Sequence, residues 1–378
     1  MRRSIHRGRG ASGGGKRRPR RRGSLRANIA LVAGSILIGL VAIELGFRVF
    51  SGIPAFQLVN WRTQRVVMDR LDEFKSVADP VLGWRPRPWH YHKDGYTTIA
   101  HGIRQNFAEK TLRTGAVLAV GDSFTEGWEV KDSESWPAQL EKRIGMPVVN
   151  AGVGAYGTDQ IILRAEEMLP LVKPKILIVG FLEEDIFRAG HSVFGAPKPY
   201  FTLEQGELKF HPPEPMEPPR PGGAFSSAGR KLRDVLGYSA AADYILARIS
   251  PNYWYSAGAR DAYRKVDIDP AAVTCALLRR LKARTDRDGV RVILIMQYHA
   301  IQIIENDKPT EQGRRVADCA AAAGIRVVDQ FAPLDAIERD KPNSMREYYT
   351  VYGEGLFGHM TAKGNAHAAD LLEKAVRE

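Results

Sequence analysis

Apolar residues in this chain fall into one long block and a series of short ones. From Ile29 to Ile43 every residue is apolar or small, and the block continues through Glu44 and Arg48 to Phe50. As a helix these 22 residues would reach roughly 33 Å, enough to cross a bilayer. Glu44 and Arg48 are four apart, so they can pair on one face and snorkel near the far end. The short runs come later: Ala116 to Val120, Val148 to Val149, Ile176 to Val179, Val290 to Met296 and Ile325 to Val328. Their length and β-branched content predict buried parallel strands. Between them, Ser135 to Ile144, Asp159 to Leu169, Pro270 to Thr285 and Glu311 to Ala323 read as helices; Val273, Leu277, Leu278 and Leu281 mark one face of the third. A last amphipathic helix runs from Ala362 to about Val376. Strands alternating with helices predict an α/β fold, a three-layer α/β/α sandwich around a central parallel sheet.

The alternation is interrupted at about 187–269. This interval contains a hairpin pattern, Tyr200 to Phe210 around Gln205 and Gly206, followed by six prolines in His211 to Gly223 that exclude helix and central strand and predict an extended surface strap. The organisation expected is therefore a basic tail at 1–27, a transmembrane anchor at 28–50, a Pro-broken lead-in at 51–106 and a globular domain at 107–378 carrying the insertion.

Charge changes the picture at the N-terminus. The net +12 suggests a nucleic-acid partner, but eleven Lys and Arg residues lie before Ala27, which leaves +1 for the rest. No nucleic acid is expected. A basic cluster directly before a first membrane helix holds the N-terminus in the cytoplasm and places the residues after Phe50 outside, in a bacterium the periplasm or cell surface. A cleaved signal peptide is the competing reading, but no clear small-residue cleavage site comes after the apolar block. Cys275 and Cys319 sit inside helical patterns without zinc-ligand spacing. They can form a disulfide in an oxidising compartment or remain two buried thiols; no metal or cofactor is expected.

The chemistry is concentrated in four places. Ser123 follows a strand and the turn Gly121-Asp122, where a serine can cap a helix or be presented as a nucleophile. The stretch Gly121-Asp122-Ser123-Phe124-Thr125-Glu126-Gly127, with Val130, Asp132, Ser135, Trp136 and Leu140, resembles the first block of the SGNH (GDSL-type esterase) superfamily. Asn150 to Gln160, with Gly152, Gly154 and Gly157, resembles its second block, and His359 to Asn365 its catalytic histidine turn. Asp79 to Trp84 and Gly102-Ile103-Arg104 are similar to the lead-in of membrane-tethered members.

This resemblance implies Ser123 as nucleophile, His359 as general base, and an oxyanion site at Ala155, which stands where the family usually has a glycine, with Gly154 beside it; because the donor is a backbone N–H, an alanine can serve. His299 and His367 are alternative bases outside any matching motif. Two further positions depart from the pattern. Glu184 occupies the place of an oxyanion-donating Asn, and an ionised carboxylate can only accept; protonation by burial would restore a donor. The acid expected two or three residues before His359 is replaced by Leu356 and Phe357, which leaves Glu354 as the nearest carboxylate, or a serine–histidine dyad. The expected function is that of a membrane-anchored esterase or acyltransferase acting on an acylated envelope glycan or lipid. The rival is a catalytically degenerate member that binds an envelope glycan or assembly partner.

Overall fold

In a computed structural model, the chain is described at residues 25–51, 76–92, 95–107, 111–214, 232–233, 235–250, 254, 263–353 and 356–378. The apolar runs form one parallel sheet of β1 (Val117–Val120), β2 (Val148–Asn150), β3 (Ile176–Leu182), β4 (Arg291–Gln297) and β5 (Arg326–Asp329), in the order β5-β4-β3-β1-β2. Both faces are covered, so the strands are apolar throughout rather than alternating: Leu118, Ala119, Leu177, Ile178, Ile293 and Leu294 are inaccessible to solvent.

The helices that position the site are α1 (Leu25–Phe50), α2 (Ser123–Glu126), α3 (Trp136–Ile144), α4 (Thr158–Val172), α5 (Glu183–Arg188), α6 (Ala240–Ile249), α7 (Pro270–Arg287), α8 (Glu311–Ala322) and α9 (Ala362–Arg377). From β1 the chain steps to β2 in one direction, then returns across β1 to β3, β4 and β5. Right-handed crossovers then put α3 on one face and α4, α7 and α8 on the other. The packing agrees, since α7 lies between α4 and α8 while α3 packs against α9. The reversal falls between β1 and β3, and in an open α/β sheet the carboxyl ends of strands at such a point frame a binding crevice.

In the insertion, Tyr200–Glu204 pairs antiparallel with Glu207–His211 across Gln205 (φ 54°) and Gly206 (φ 88°). Two consecutive left-handed residues make the tight turn whose twist suits a hairpin. The proline-rich strap falls largely outside the described residues, as does the basic tail through Gly23. Cys275 on α7 and Cys319 on α8 form a disulfide with Cα atoms 5.8 Å apart, which closes the alternative of free thiols. Within α1, Ala27–Phe50 is long and apolar enough to cross a membrane, with mean hydropathy 2.3. Glu44 and Arg48 pair at 2.6 Å.

Candidate active site

Ser123 opens α2 directly beyond β1. Asp122 caps that helix, its Oδ1 accepting from the Phe124 N–H at 2.9 Å. As the first helical residue, Ser123 has an N–H with no acceptor among the described residues, and its hydroxyl lies 3.0 Å from His359 Nε2. Asp122 Oδ2, at 3.3 Å, is the hydroxyl's other partner.

His359 does not sit on a bare turn. It lies in the strand Leu356–Met360, which pairs antiparallel with Tyr349–Tyr352. Its ring is held between Phe124, at 5.4 Å between centroids, and Trp128, at 5.6 Å. Its Nδ1 lies 3.0 Å from Oε1 of Glu129, and its own backbone N–H donates to Glu129 Oε2 at 3.1 Å. With a carboxylate on Nδ1 the ring proton belongs there, and Nε2 is left as the acceptor for the serine proton. The structure thus joins Ser123, His359 and Glu129 in one hydrogen-bonded chain.

The carboxylate expected upstream of His359 is therefore supplied from elsewhere. Glu354 lies outside the described residues, and Leu356 points to solvent, 63% exposed. Glu129 comes from the turn after α2, 230 positions from its histidine. The sequence carried one faint sign of it in Gly358: a Cβ there would stand 2.3 Å from Thr350 Oγ1 and 2.8 Å from Glu129 Oε2, so only glycine leaves room for the carboxylate beside this strand. Because that seat is filled, Leu356→Asp is expected to change kcat by no more than about twofold, as for an ordinary surface substitution within about 0.5 kcal/mol. Steady-state kinetics would expose an empty seat as a large gain.

Burial pulls the Glu129 carboxyl upward, but bonds from His359, Thr350 and Tyr352, together with the His359 charge, outweigh it and hold the group at about 2 instead of 4.5. A carboxylate lowered in this way stabilises the fold above its ordinary value, and that contribution disappears as pH falls from 4.5 toward 2. Urea midpoints of the wild-type protein should therefore decline more steeply over this interval than those of Glu129→Gln.

The turn that carries Glu129 is fixed from the lead-in segment. Glu129 itself has a left-handed backbone (φ 67°), a conformation costly for a side chain with a Cβ. Arg104, buried at 2% exposure, holds the turn in place. Its guanidinium donates to the carbonyls of Glu126 at 2.7 Å, Val130 at 2.6 Å and Gly127, and its Nε reaches Asp132 at 3.2 Å.

Across the crevice runs the Gly152–Ala155 turn. A Cβ on Gly152 would come within 2.4 Å of the Glu126 backbone nitrogen, so glycine there lets the turn lie directly against α2. The expected oxyanion pair divides. The Gly154 N–H is consumed by Glu126 Oε2 at 2.8 Å, in a buried carboxylate that also accepts from Trp128 Nε1 at 2.5 Å and from the Tyr96 hydroxyl. Ala155, with a left-handed backbone (φ 63°), keeps an N–H with no acceptor among the described residues. Its neighbours are anchored by the lead-in, as Trp84 Nε1 donates to the Gly154 carbonyl at 3.2 Å and the Tyr156 hydroxyl donates to the Trp84 carbonyl. Backbone N–H groups without an acceptor among the described residues therefore remain at Ser123 and Ala155 and not at Gly154.

Glu184, in the first turn of α5 just after β3, does not provide a third. Burial raises its pKa, but the bond from His299 and the Arg188 charge hold it near 2, so it is ionised at neutral pH and accepts only. Its Oε2 lies 2.8 Å from His299 Nε2 and 3.5 Å from Arg188 Nη2. Arg188 Nη1 continues to Asp122 Oδ2, Asp185 Oδ1 and the Tyr156 carbonyl, linking all three loops of the crevice. His299 lies edge-on to Phe124 at 5.4 Å, close to the site but paired with Glu184 rather than Ser123. His367 is remote from this chain of contacts, with Gln330 Nε2 at 3.3 Å and Tyr348 as neighbours.

Solved structures of GDSL-type hydrolases resemble the chain. Axe2, an acetylxylan esterase from Geobacillus stearothermophilus, is 15% identical, with 70% of this chain and 95% of that one covered at a TM-score of 0.37. A G-D-S-L family protein from Desulfitobacterium hafniense DCB-2 is 13% identical, covering 69% and 99% at 0.35. TesA is 11% identical, covering 69% and 97% at 0.37. No family model and no curated protein matches the chain.

Proposed function

We propose that the chain is a membrane-anchored serine esterase or acyltransferase of the SGNH type. The observation that carries this reading is the unbroken series Glu129, His359 Nδ1, His359 Nε2, Ser123 Oγ, with 3.0 Å at both histidine nitrogens. As the Ser123 oxygen attacks an ester carbonyl carbon, its proton passes to Nε2, and Glu129 stabilises the imidazolium formed. The carbonyl oxygen takes the negative charge and is met by the N–H groups of Ser123 and Ala155. Collapse breaks the bond to the leaving oxygen, which receives the proton from Nε2 and leaves an acyl group on Ser123. Water or an acceptor hydroxyl then gives its proton to Nε2 and attacks the acyl carbon, and as the bond to Ser123 breaks, its oxygen takes that proton back from Nε2.

The substrate class proposed is an acylated envelope glycan or lipid on the outer side of the membrane. Support comes from the basic residues preceding α1 and from the disulfide, which persists in oxidising compartments. A binding module on the same fold is the second reading, favoured by the ionised Glu184 where a donor belongs. Labelling separates the two. A fluorophosphonate probe should modify Ser123, identified by peptide mass, and Ser123→Ala or His359→Ala should prevent it. An intact, folded protein left unmodified would favour the binding module.

A further inference from the structure

The membrane helix is joined to the insertion. Both carboxylate oxygens of Glu44, in the last two turns of α1, point at the start of α6: Ser239 Oγ donates to one at 2.6 Å, and the N–H groups of Ala240 and Ala241 donate at 2.9 and 3.1 Å. Glu44 thus satisfies donors at the start of α6 that have no partner within that helix. Arg48 pairs with Glu44 and donates to the Tyr238 carbonyl at 3.2 Å, and Phe47 meets the Tyr244 ring at 5.1 Å. A charged pair that the sequence offered as two snorkelling side chains is the clamp between α1 and α6.

The clamp fixes the height of α6. If Ala27 lies at the cytoplasmic edge of the hydrocarbon layer, Glu44 stands about 26 Å along the helix, close to the outer edge of a layer about 30 Å thick. At that level the outward surface of α6 is apolar and aromatic, with Tyr244, Ile245 and Ile249 exposed at 44, 50 and 72%. The preceding residues Leu232, Val235 and Tyr238 are exposed as well. No acidic side chain of α6 is exposed, because Asp243 is buried and accepts from Trp254 Nε1 at 2.7 Å. The one exposed charge is Arg248, whose guanidinium lies 3.5 Å above the Tyr244 ring. Isoleucine, tyrosine and arginine on one short helix are the composition of an element lying in a headgroup layer.

We propose that α6 is an interfacial helix, with Ile245 and Ile249 seated in the outer leaflet of the bilayer that α1 crosses. Clamped to α1 through Glu44, this surface fits one occupant, an anionic or zwitterionic phospholipid surface. The inference rests on reading α1 as a membrane anchor and adds a second membrane contact that would hold the catalytic domain in one orientation. In the oxidised protein both native cysteines are in the disulfide, so a single introduced cysteine can carry a nitroxide. Full-length protein in phosphatidylcholine–phosphatidylglycerol nanodiscs would be labelled at Ile245→Cys, Ile249→Cys, Ile36→Cys in α1, and Glu207→Cys on the distal hairpin. The expected result is that dissolved oxygen relaxes the labels at 245, 249 and 36 more than a water-soluble nickel complex does, with the order reversed at 207. A lipid signature at 36 with an aqueous one at 245 and 249 would overturn the inference alone. Labels at 245 and 249 shielded from both reagents would overturn it in favour of a protein partner. An aqueous signature at 36 would overturn the anchor, and the inference with it.

Discussion

Replacing Glu129 with glutamine is expected to lower kcat for ester hydrolysis by about 10⁴-fold, the loss that the corresponding amide causes in a serine protease triad, with little change in KM. The direction of the amide explains why. Around Oε2 of Glu129 stand the His359 N–H at 3.1 Å and the Thr350 hydroxyl, both donors. A glutamine keeps its carbonyl oxygen toward these donors and turns its NH₂ toward His359 Nδ1. The imidazole must then carry its proton on Nε2, where it faces Ser123 and cannot take the serine proton. Glu129→Asp retains a carboxylate and should recover part of the rate. Kinetics on an aryl acetate with Glu129→Gln, at a pH where both proteins are folded, is the measurement; a loss below about tenfold would remove Glu129 from the mechanism and leave a dyad.

The second large effect is expected at Arg104, which touches none of the reacting atoms. Arg104→Met keeps the apolar stem but removes the guanidinium donors from the carbonyls of Glu126, Gly127 and Val130 and takes from Asp132 its cationic partner, leaving it the Thr97 N–H. Buried acceptors deprived of donors cost about 1–3 kcal/mol each, and breaking a buried ion pair typically costs about 3–5 kcal/mol. Because the turn can partly relax, a loss of about 3–5 kcal/mol in urea unfolding is expected. The fraction that remains folded should also have a lower kcat, since Glu129 keeps its left-handed backbone only while the turn is held. A stable variant with full activity would show that the turn does not need its arginine.

The sheet was legible because strands buried on both faces must be apolar throughout, so Leu118, Ile178 and Ile293 sit in runs that polar neighbours interrupt cleanly. The hairpin was legible for a local reason as well, Gln205-Gly206 being able to adopt two left-handed residues in succession. Site geometry depends instead on contacts between distant segments. Which carboxylate serves His359 is decided by the course of the Gly127–Val130 turn and by the space at Gly358, neither of which has a periodic signature. The Gly154 N–H looked available only because Glu126, thirty positions after Tyr96, could not be seen folding across to claim it. The role of Glu44 was hidden in the same way, since its partners come 195 to 197 positions later.

The proposed nucleophile Ser123 and acid Glu129 lie six positions apart, whereas the proposed base, His359, comes 236 positions after Ser123. At a synthesis rate of roughly 5–20 residues per second, the ribosome needs on the order of ten to fifty seconds to travel from one to the other. Throughout that interval Ser123 is an ordinary alcohol with no group to accept its proton. In the proposed mechanism the growing chain therefore cannot act on an ester until the hairpin from Tyr349 to Met360 has been made.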